Sequence, residues 1–287
     1  MEKIRNVATI GMFDGVHLGH QYVLQQVVDY ARQHGMQALC ITFDHSPRRE
    51  QVLTPLDEKL QLIRQTGIDT IEVLHFTKAL KQLTAREFME QELLQKLNVK
   101  VLLTGYDNRF GHNREEGFDD YVRYGEELGI KVLALPAKGS ISSSHIRQLL
   151  AQGYVSEAAE CLGHPYSICG QVTHGEHIGT QLGFPTANIK TAESSQLIPL
   201  AGVYAVRVQL ERDKELRKGM MNIGTRPTFG EHLQTLEVHV LDYEGYLYGQ
   251  SIKVEFIRRL REERHFDKPE ALIEQLKKDA IEAQQQT

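Results

Sequence analysis

Apolar residues recur with two different periods along this chain, and the change of period divides it. In the first half, short apolar runs alternate with amphipathic stretches. The run VATI from Val7 reads as a buried strand, after which Val23, Leu24, Val27, Val28 and Ala31 share one face of a helix. MQALCITF (36–43), IEVLHF (71–76), VKVLLTG (99–105) and KVLALP (131–136) predict four further strands. Between them, Thr54, Pro55 and Asp57 predict an N-cap with proline in the first turn of a helix through Arg64. Thr84 and Glu87 form a capping box ahead of EFMEQELLQKL, and FDDYVRYGEEL supplies another helix. Strands alternating with helices of this length predict a mostly parallel sheet covered on both sides.

After about Gly163 the period becomes two. Val206, Val208 and Leu210 alternate with Arg207 and Gln209, and Leu236, Val238 and Val240 alternate with Glu237 and His239. Ile252, Val254 and Phe256 repeat the pattern. Half-buried strands joined by glycine-rich turns predict a small antiparallel barrel. An amphipathic helix from Pro269 to about Gln284, with Leu272, Ile273, Leu276 and Ala280 on one face, closes the chain. The expectation is two domains, residues 1–163 and 164–287, with no internal repeat.

Composition changes this picture little. The 287 residues are 41% hydrophobic and 25% charged, as in an ordinary globular protein. A net charge of −5 argues against a nucleic-acid partner and requires any anionic ligand to be held by local groups. Cys40, Cys161 and Cys169 form no metal-like spacing and read as reduced thiols. No leader pattern precedes VATI and no apolar stretch approaches the ~20 residues that span a bilayer, so the expected location is cytoplasmic, without a membrane partner.

Two constellations carry candidate chemistry. In TIGMFDGVHLGHQ the glycines occupy a strand-to-helix turn, where unpaired N–H groups suit an anion. His17 and His20, three apart, project from one face, and Gly19 leaves room for a ligand against the backbone. The imidazoles suit donation to phosphate oxygens as charge develops. Taken singly, the stretch also fits an ordinary glycine turn with two surface histidines, or part of a zinc site. GSISSSHIRQLL, after the last strand of the same half, offers Ser142, Ser143 and Ser144 at a helix start with Arg147 one turn in. By itself it fits a serine N-cap; together the two segments make a phosphate clamp.

The second constellation is GQVTHGEHIGTQLGFPTANI. Gly170, Gly175, Gly179 and Gly183 suit a loop that closes over phosphates, although glycines in β-rich chain also mark bulges. Thr186 and Asn188, pointing the same way in Pro185-Thr186-Ala187-Asn188, offer hard oxygen ligands for Mg2+ carried with ATP.

GMFDGVHLGH with ISSSHIR resembles the nucleotidyltransferase superfamily bearing H-x-G-H, specifically the FMN adenylyltransferase module of prokaryotic FAD synthetases. TGYDNRFGHNREEG resembles that family's flavin- and nucleotide-contacting loop, with Asp107, Arg109 and Gly111 at matching positions. LGFPTANI, NIGTRPTFG and LEVHVLDYEGYLYGQSIKVEF resemble riboflavin kinase in order and spacing. The likeness runs from about residue 5 to about 280. It departs at FDHSPRRE, where the family has F-x-P-H-P: His45 is displaced by one position and Ser46 stands where the family histidine would be.

The resemblance implies an α/β fold: a Rossmann-like nucleotidyltransferase domain with a parallel sheet, then an antiparallel β-barrel kinase domain with a terminal helix. It implies an enzyme that phosphorylates riboflavin to FMN and adenylylates FMN to FAD, both with Mg-ATP. Gly11, Phe13, Asp14, Gly19, Ser143 and Ser144 would then bind ATP phosphates, with His17, His20 and Arg147 catalytic and Asp107 and Arg109 in the flavin loop. In the kinase domain Gly175, Gly179, Gly183, Pro185, Thr186 and Asn188 would bind ATP, and Glu237 would be the general base. The partners expected are small molecules only, for a monomer or weak homo-oligomer. Two other readings fit the same motifs: a nucleotidyltransferase whose barrel only binds flavin, and a flavin-responsive regulator.

Overall fold

The computed structural model describes residues 4–45, 51–105, 108–136, 141–173, 182–211, 213, 215–228 and 231–286. The chain divides into two compact units, Met1–Ser143 and Ser144–Thr287.

In the first unit five parallel strands stand in the order β3-β2-β1-β4-β5: β1 (Asn6–Ile10), β2 (Gln37–Phe43), β3 (Thr70–Leu74), β4 (Val99–Gly105) and β5 (Lys131–Leu135). Period two within strands buried on both faces sends alternate residues to opposite cores. Val7, Ala38, Cys40 and Val101 pack on one side with Leu24, Val27, Val28 and Ala31 of α1 (Leu18–His34). Ala8, Ile10, Leu39 and Ile41 pack on the other with Phe88, Met89, Leu93 and Tyr121. Connections leave β1 toward β2 and return from β3 to β4, so the strand order reverses between β1 and β4. The carboxyl ends of these two strands therefore border the crevice where doubly wound sheets place ligands.

Local expectations hold with two differences. Helix α2 (Leu56–Gln65) has Pro55, not Thr54, at its N-cap, and the Thr54 N–H is held by the Asp14 carboxylate. The capping box at Thr84 and Glu87 is present. It starts a helix that is α-helical over Ala85–Phe88 and π-helical over Met89–Lys96, where the Leu97 N–H donates to the Glu92 carbonyl.

The second unit is a closed antiparallel barrel ordered β10-β7-β6-β11-β8-β9. Its strands are β6 (Tyr166–Thr173), β7 (Ala187–Thr191), β8 (Gly202–Leu210), β9 (Leu216–Thr228), β10 (Glu231–Val240) and β11 (Ser251–Arg261). Closure removes the sheet edges, and Val206, Val208, Leu236, Val238, Ile252, Val254 and Phe256 are all buried as their alternation requires. The C-terminal helix, Pro269–Gln286, lays Leu276, Ala280 and Ala283 against Ala205 and Met220. Arg261 on β11 grips Asp279 of that helix with two nitrogens, the closest pair at 2.7 Å, and the Asp279 carboxylate is 2% exposed.

Removing one partner of a buried ion pair leaves the other charge uncompensated. Asp279→Ala is therefore expected to destabilise the barrel by about 3 kcal/mol in chemical denaturation, and the apolar double variant Arg261→Met/Asp279→Leu by less. Equal losses in the two would contradict this.

Candidate active sites

The first site is built on the turn that follows β1. Phe13 (φ 49°) and Val16 (φ 40°) both lie in the left-handed region, with Gly15 (φ 86°) between them. Each non-glycine residue held there costs about 1–3 kcal/mol, so surrounding contacts must enforce it. They do. The Asp14 carboxylate accepts from the Leu53 and Thr54 N–H groups at 2.9 and 3.2 Å. The Met12 carbonyl accepts from Thr42 Oγ1 and from Lys59 Nζ, which also donates to the Phe43 carbonyl at 2.6 Å. Gln21 closes the far side through the Val16 carbonyl.

From the other end of the unit, Ser143 Oγ donates to the Asp14 carbonyl at 2.9 Å. The two motif segments, 129 residues apart, therefore meet. Ser143 starts the helix Ser143–Ala151; Ser144 follows it, and Arg147 shares its helix face at i+4.

His17 is the N-cap of α1. Its Nδ1 accepts from the His20 N–H at 3.3 Å, so in the neutral ring the proton sits on Nε2. The two imidazoles stack with centroids 3.6 Å apart, and Phe13 meets His20 edge-on at 5.2 Å. A Cβ on Gly19 would stand 3.1 Å from the His17 ring, which leaves it little room to yield. Burial lowers the His17 pKa to about 4. Burial, then the charges of His17 and Lys59, hold His20 well below the usual histidine range. Both rings are therefore neutral at pH 7. His20 Nδ1 is buried with no hydrogen-bond partner among the described residues, and the first turn of α1 has no acidic residue. A buried orphan nitrogen beside an uncompensated helix start suits an incoming anion.

Other expected residues have structural engagements of their own. The Phe13 ring lies against Gly11, where a Cβ would come within 3.2 Å, and one oxygen of the Asp14 carboxylate accepts from both the 53 and 54 amides. Arg109 lays its guanidinium over Gly117, at the N-cap of the helix Phe118–Leu128, and donates to the Asn108 carbonyl. Asp107 and Ser46 lie outside the described residues. His45 and His75 both bind the Asp44 carboxylate, at 2.7 and 2.8 Å, beyond the ends of β2 and β3.

Sequence reasoning missed Lys59 and Asn108. Asn108 Nδ2 donates to the Ile10 carbonyl at 2.8 Å and to Thr104 Oγ1, tying β1 to β4 across the crevice. Neither residue belongs to a spacing that marks it.

The second site lies on the outward face of the barrel. Glu237 on β10 is paired with Asn188 on β7 and with Asn222 on β9, and Asn188 is paired in turn with Thr173. Directly paired residues share a face, so these four form a row across four strands. Thr186, two residues before Asn188, precedes β7, and Gly183 turns the chain into it with φ 83°. Hydroxyl, amide and carboxylate oxygens gathered here fit a hard cation with oxygen preference. Gly175 and Gly179 lie outside the described residues. Asn222 and His239 were not singled out from the sequence; His239 Nδ1 binds the Pro185 carbonyl at 2.7 Å.

Comparison with known proteins separates the two units in the same order. The FAD synthetase family matches residues 1–147 and the riboflavin kinase family residues 162–287. Proteins named bifunctional riboflavin kinase/FMN adenylyltransferase are similar over nearly the whole chain. That of Listeria monocytogenes is 36% identical, covering 96% of this chain and 90% of its own. That of Escherichia coli K12 is 37% identical (97% and 92%), and that of Bacillus subtilis 34% (98% and 92%). A crystal structure described as a macrolide-efflux protein from Streptococcus pneumoniae superposes with TM-score 0.90 at 29% identity, covering 99% of this chain and 95% of that one. No helix among the described residues of this chain is long and apolar enough to cross a membrane.

The His17 shift has a consequence for acid stability. Unfolded, the ring takes a proton near pH 6.5; folded, it does so only near 4, so the unfolded chain binds more protons between those values. This contribution is fully present above about pH 6.5 and is lost as pH falls toward 4, by about 3 kcal/mol. The His17 ring protons are expected to show no NMR titration from pH 8 to 5; a midpoint near 6.5 would contradict the assignment.

Proposed function

Because this chain belongs to the bifunctional riboflavin kinase/FMN adenylyltransferase family, we propose that it makes FAD in two ATP-dependent steps at two separate sites. The observation that carries this reading is the presence of two distinct constellations, one built on the turn after β1 and one on the barrel face. The first domain, 1–163, is assigned adenylyl transfer and the second, 164–287, phosphorylation.

In the barrel, Glu237 takes the proton from the ribityl 5′-hydroxyl of riboflavin as its oxygen attacks the γ-phosphorus of ATP. The bond to the β–γ bridging oxygen breaks and ADP leaves, giving FMN. Thr186 and Asn188 would hold Mg2+, which when bound screens the phosphate charge. The register that sets Glu237 opposite Asn188 supports this pairing of base and ligand. Phosphoryl transfer of this kind needs positioning and charge stabilisation, with no covalent enzyme intermediate.

In the first domain, a phosphate oxygen of FMN attacks the α-phosphorus of a second ATP and pyrophosphate leaves. Neutral His17 and His20 donate hydrogen bonds to the oxygens on which charge builds. The N–H groups at the start of α1, with Ser143, Ser144 and Arg147, hold the leaving phosphates. Gly11 and Gly19 are assigned to the same ATP turn, where they let the Phe13 and His17 rings lie against the backbone, and Phe13 and Asp14 shape that turn. Asp107 and Arg109 are assigned to the flavin loop, and Gly175, Gly179, Gly183 and Pro185 to the ATP loop of the barrel. The three cysteines, none of them in a disulfide, support a cytoplasmic location, and one chain, as a monomer or weak homo-oligomer, suffices without nucleic acid.

Chromatography of products from riboflavin and Mg-ATP tests the whole reading, which expects both FMN and FAD. A chain with one active domain would yield FMN alone from riboflavin, or FAD only when FMN is supplied. His20→Ala is expected to abolish FAD formation while FMN formation continues. Glu237→Gln is expected to slow FMN formation by roughly a hundredfold or more and to leave adenylylation of supplied FMN intact. Near-normal kinase turnover in Glu237→Gln would remove the base assignment.

A further inference from the structure

The β10–β7 ladder stops one residue short of Thr186. Its register runs Glu237 opposite Asn188 and Val238 opposite Ala187, and the next step would set His239 against Thr186, which precedes β7. The segment that carries the first oxygen ligand therefore lies just outside the paired register. The His239 side chain ties that segment to β10 beyond the end of the ladder: its Nδ1 lies 2.7 Å from the Pro185 carbonyl, the peptide oxygen immediately before Thr186. A carbonyl only accepts, so Nδ1 carries the hydrogen, as it does in both the suitable neutral tautomer and the protonated ring.

The ring is itself held in place. Phe184 meets it edge-on at 5.5 Å, and the adjacent residue on β9, Met220, is packed under the C-terminal helix with Phe184. His239 also stands two residues from Glu237 on the same outward face of β10. One strand therefore presents both the carboxylate and the group that fixes the segment bearing Thr186 and Asn188.

We propose that His239 is a positioning residue of the kinase site, setting the Thr186 and Asn188 oxygens relative to Glu237 through its Nδ1 hydrogen bond to the Pro185 carbonyl. The assignment rests on the kinase reading above. It concerns Nδ1 alone, and that makes it separable from a direct ligand contact through Nε2. An asparagine amide nitrogen reaches the position of Nδ1, whereas a glutamine amide nitrogen reaches that of Nε2.

Steady-state FMN formation is measured for the full-length wild type and for His239→Ala, His239→Asn and His239→Gln. Wild type that forms no FMN overturns the kinase reading itself. With wild type active, Ala and Gln are expected to lower kcat/KM about tenfold, as loss of one positioning hydrogen bond would, while Asn stays within about threefold of wild type. FAD formation from supplied FMN is expected to be unchanged in all three. Wild-type rates in Ala, rescue by Gln and not Asn, or equal losses in all three would each overturn the proposal. If Ala fails to fold, the contrast of Asn with Gln still decides it, because both lack the ring and differ only in where the amide nitrogen falls.

Discussion

Phe13 and Val16 are held at positive φ against a cost of about 1–3 kcal/mol each, and contacts from Thr42, Leu53, Thr54, Lys59 and Ser143 supply the restraint. Much of the first unit's site depends on this turn. It delivers His17 as the N-cap of α1, which orients one imidazole by a backbone N–H and stacks the second upon it. It also brings the Asp14 carbonyl to Ser143. A relaxed turn would still be rich in glycine, but it would not hold two histidines against one another at the reversal point of the sheet.

Burial then determines what those histidines can do. With both rings neutral, they bring no charge of their own to the turn. The chain is acidic overall, so the proposed phosphate affinity rests on helix-start N–H groups, hydroxyls and single guanidinium or ammonium groups. Lys59 is not one of the ligand-facing cations, because its ammonium is buried and consumed by the Met12 and Phe43 carbonyls. A lysine lies beneath the turn and the first turn of α1 carries no acidic residue, in a protein of net charge −5.

The barrel meets a similar demand by register. Closure removes strand slippage, and a one-residue slip would turn Glu237 inward. Fixed pairing therefore sets carboxylate, amides and hydroxyl in one row on the outward face. The paired register of β7 with β10 begins just after Thr186 in chain order, and there the His239 side chain reaches the Pro185 carbonyl.

Period alone separated the sheet domain from the barrel, because alternation and helical spacing are properties of side-chain burial that survive in one dimension. The H-x-G-H turn, the serine cluster and PTAN were legible as well, since each packs its chemistry into a few adjacent residues. Lys59, Asn108, Asn222 and His239 were not. Each acts on a group far away in sequence, by reaching a carbonyl across strands or by lying opposite a partner in the sheet, and neither leaves a local spacing. The first-turn roles of Phe13 and Asp14 were also hidden, because a motif shows which residues are present and not whether their side chains face a ligand or the protein. The sequence by itself determined the fold class, the order of the two domains and the chemistry available. Only the tertiary structure decided which of those groups are charged, which are already satisfied and which meet, because burial and cross-strand register exist only once the chain is folded.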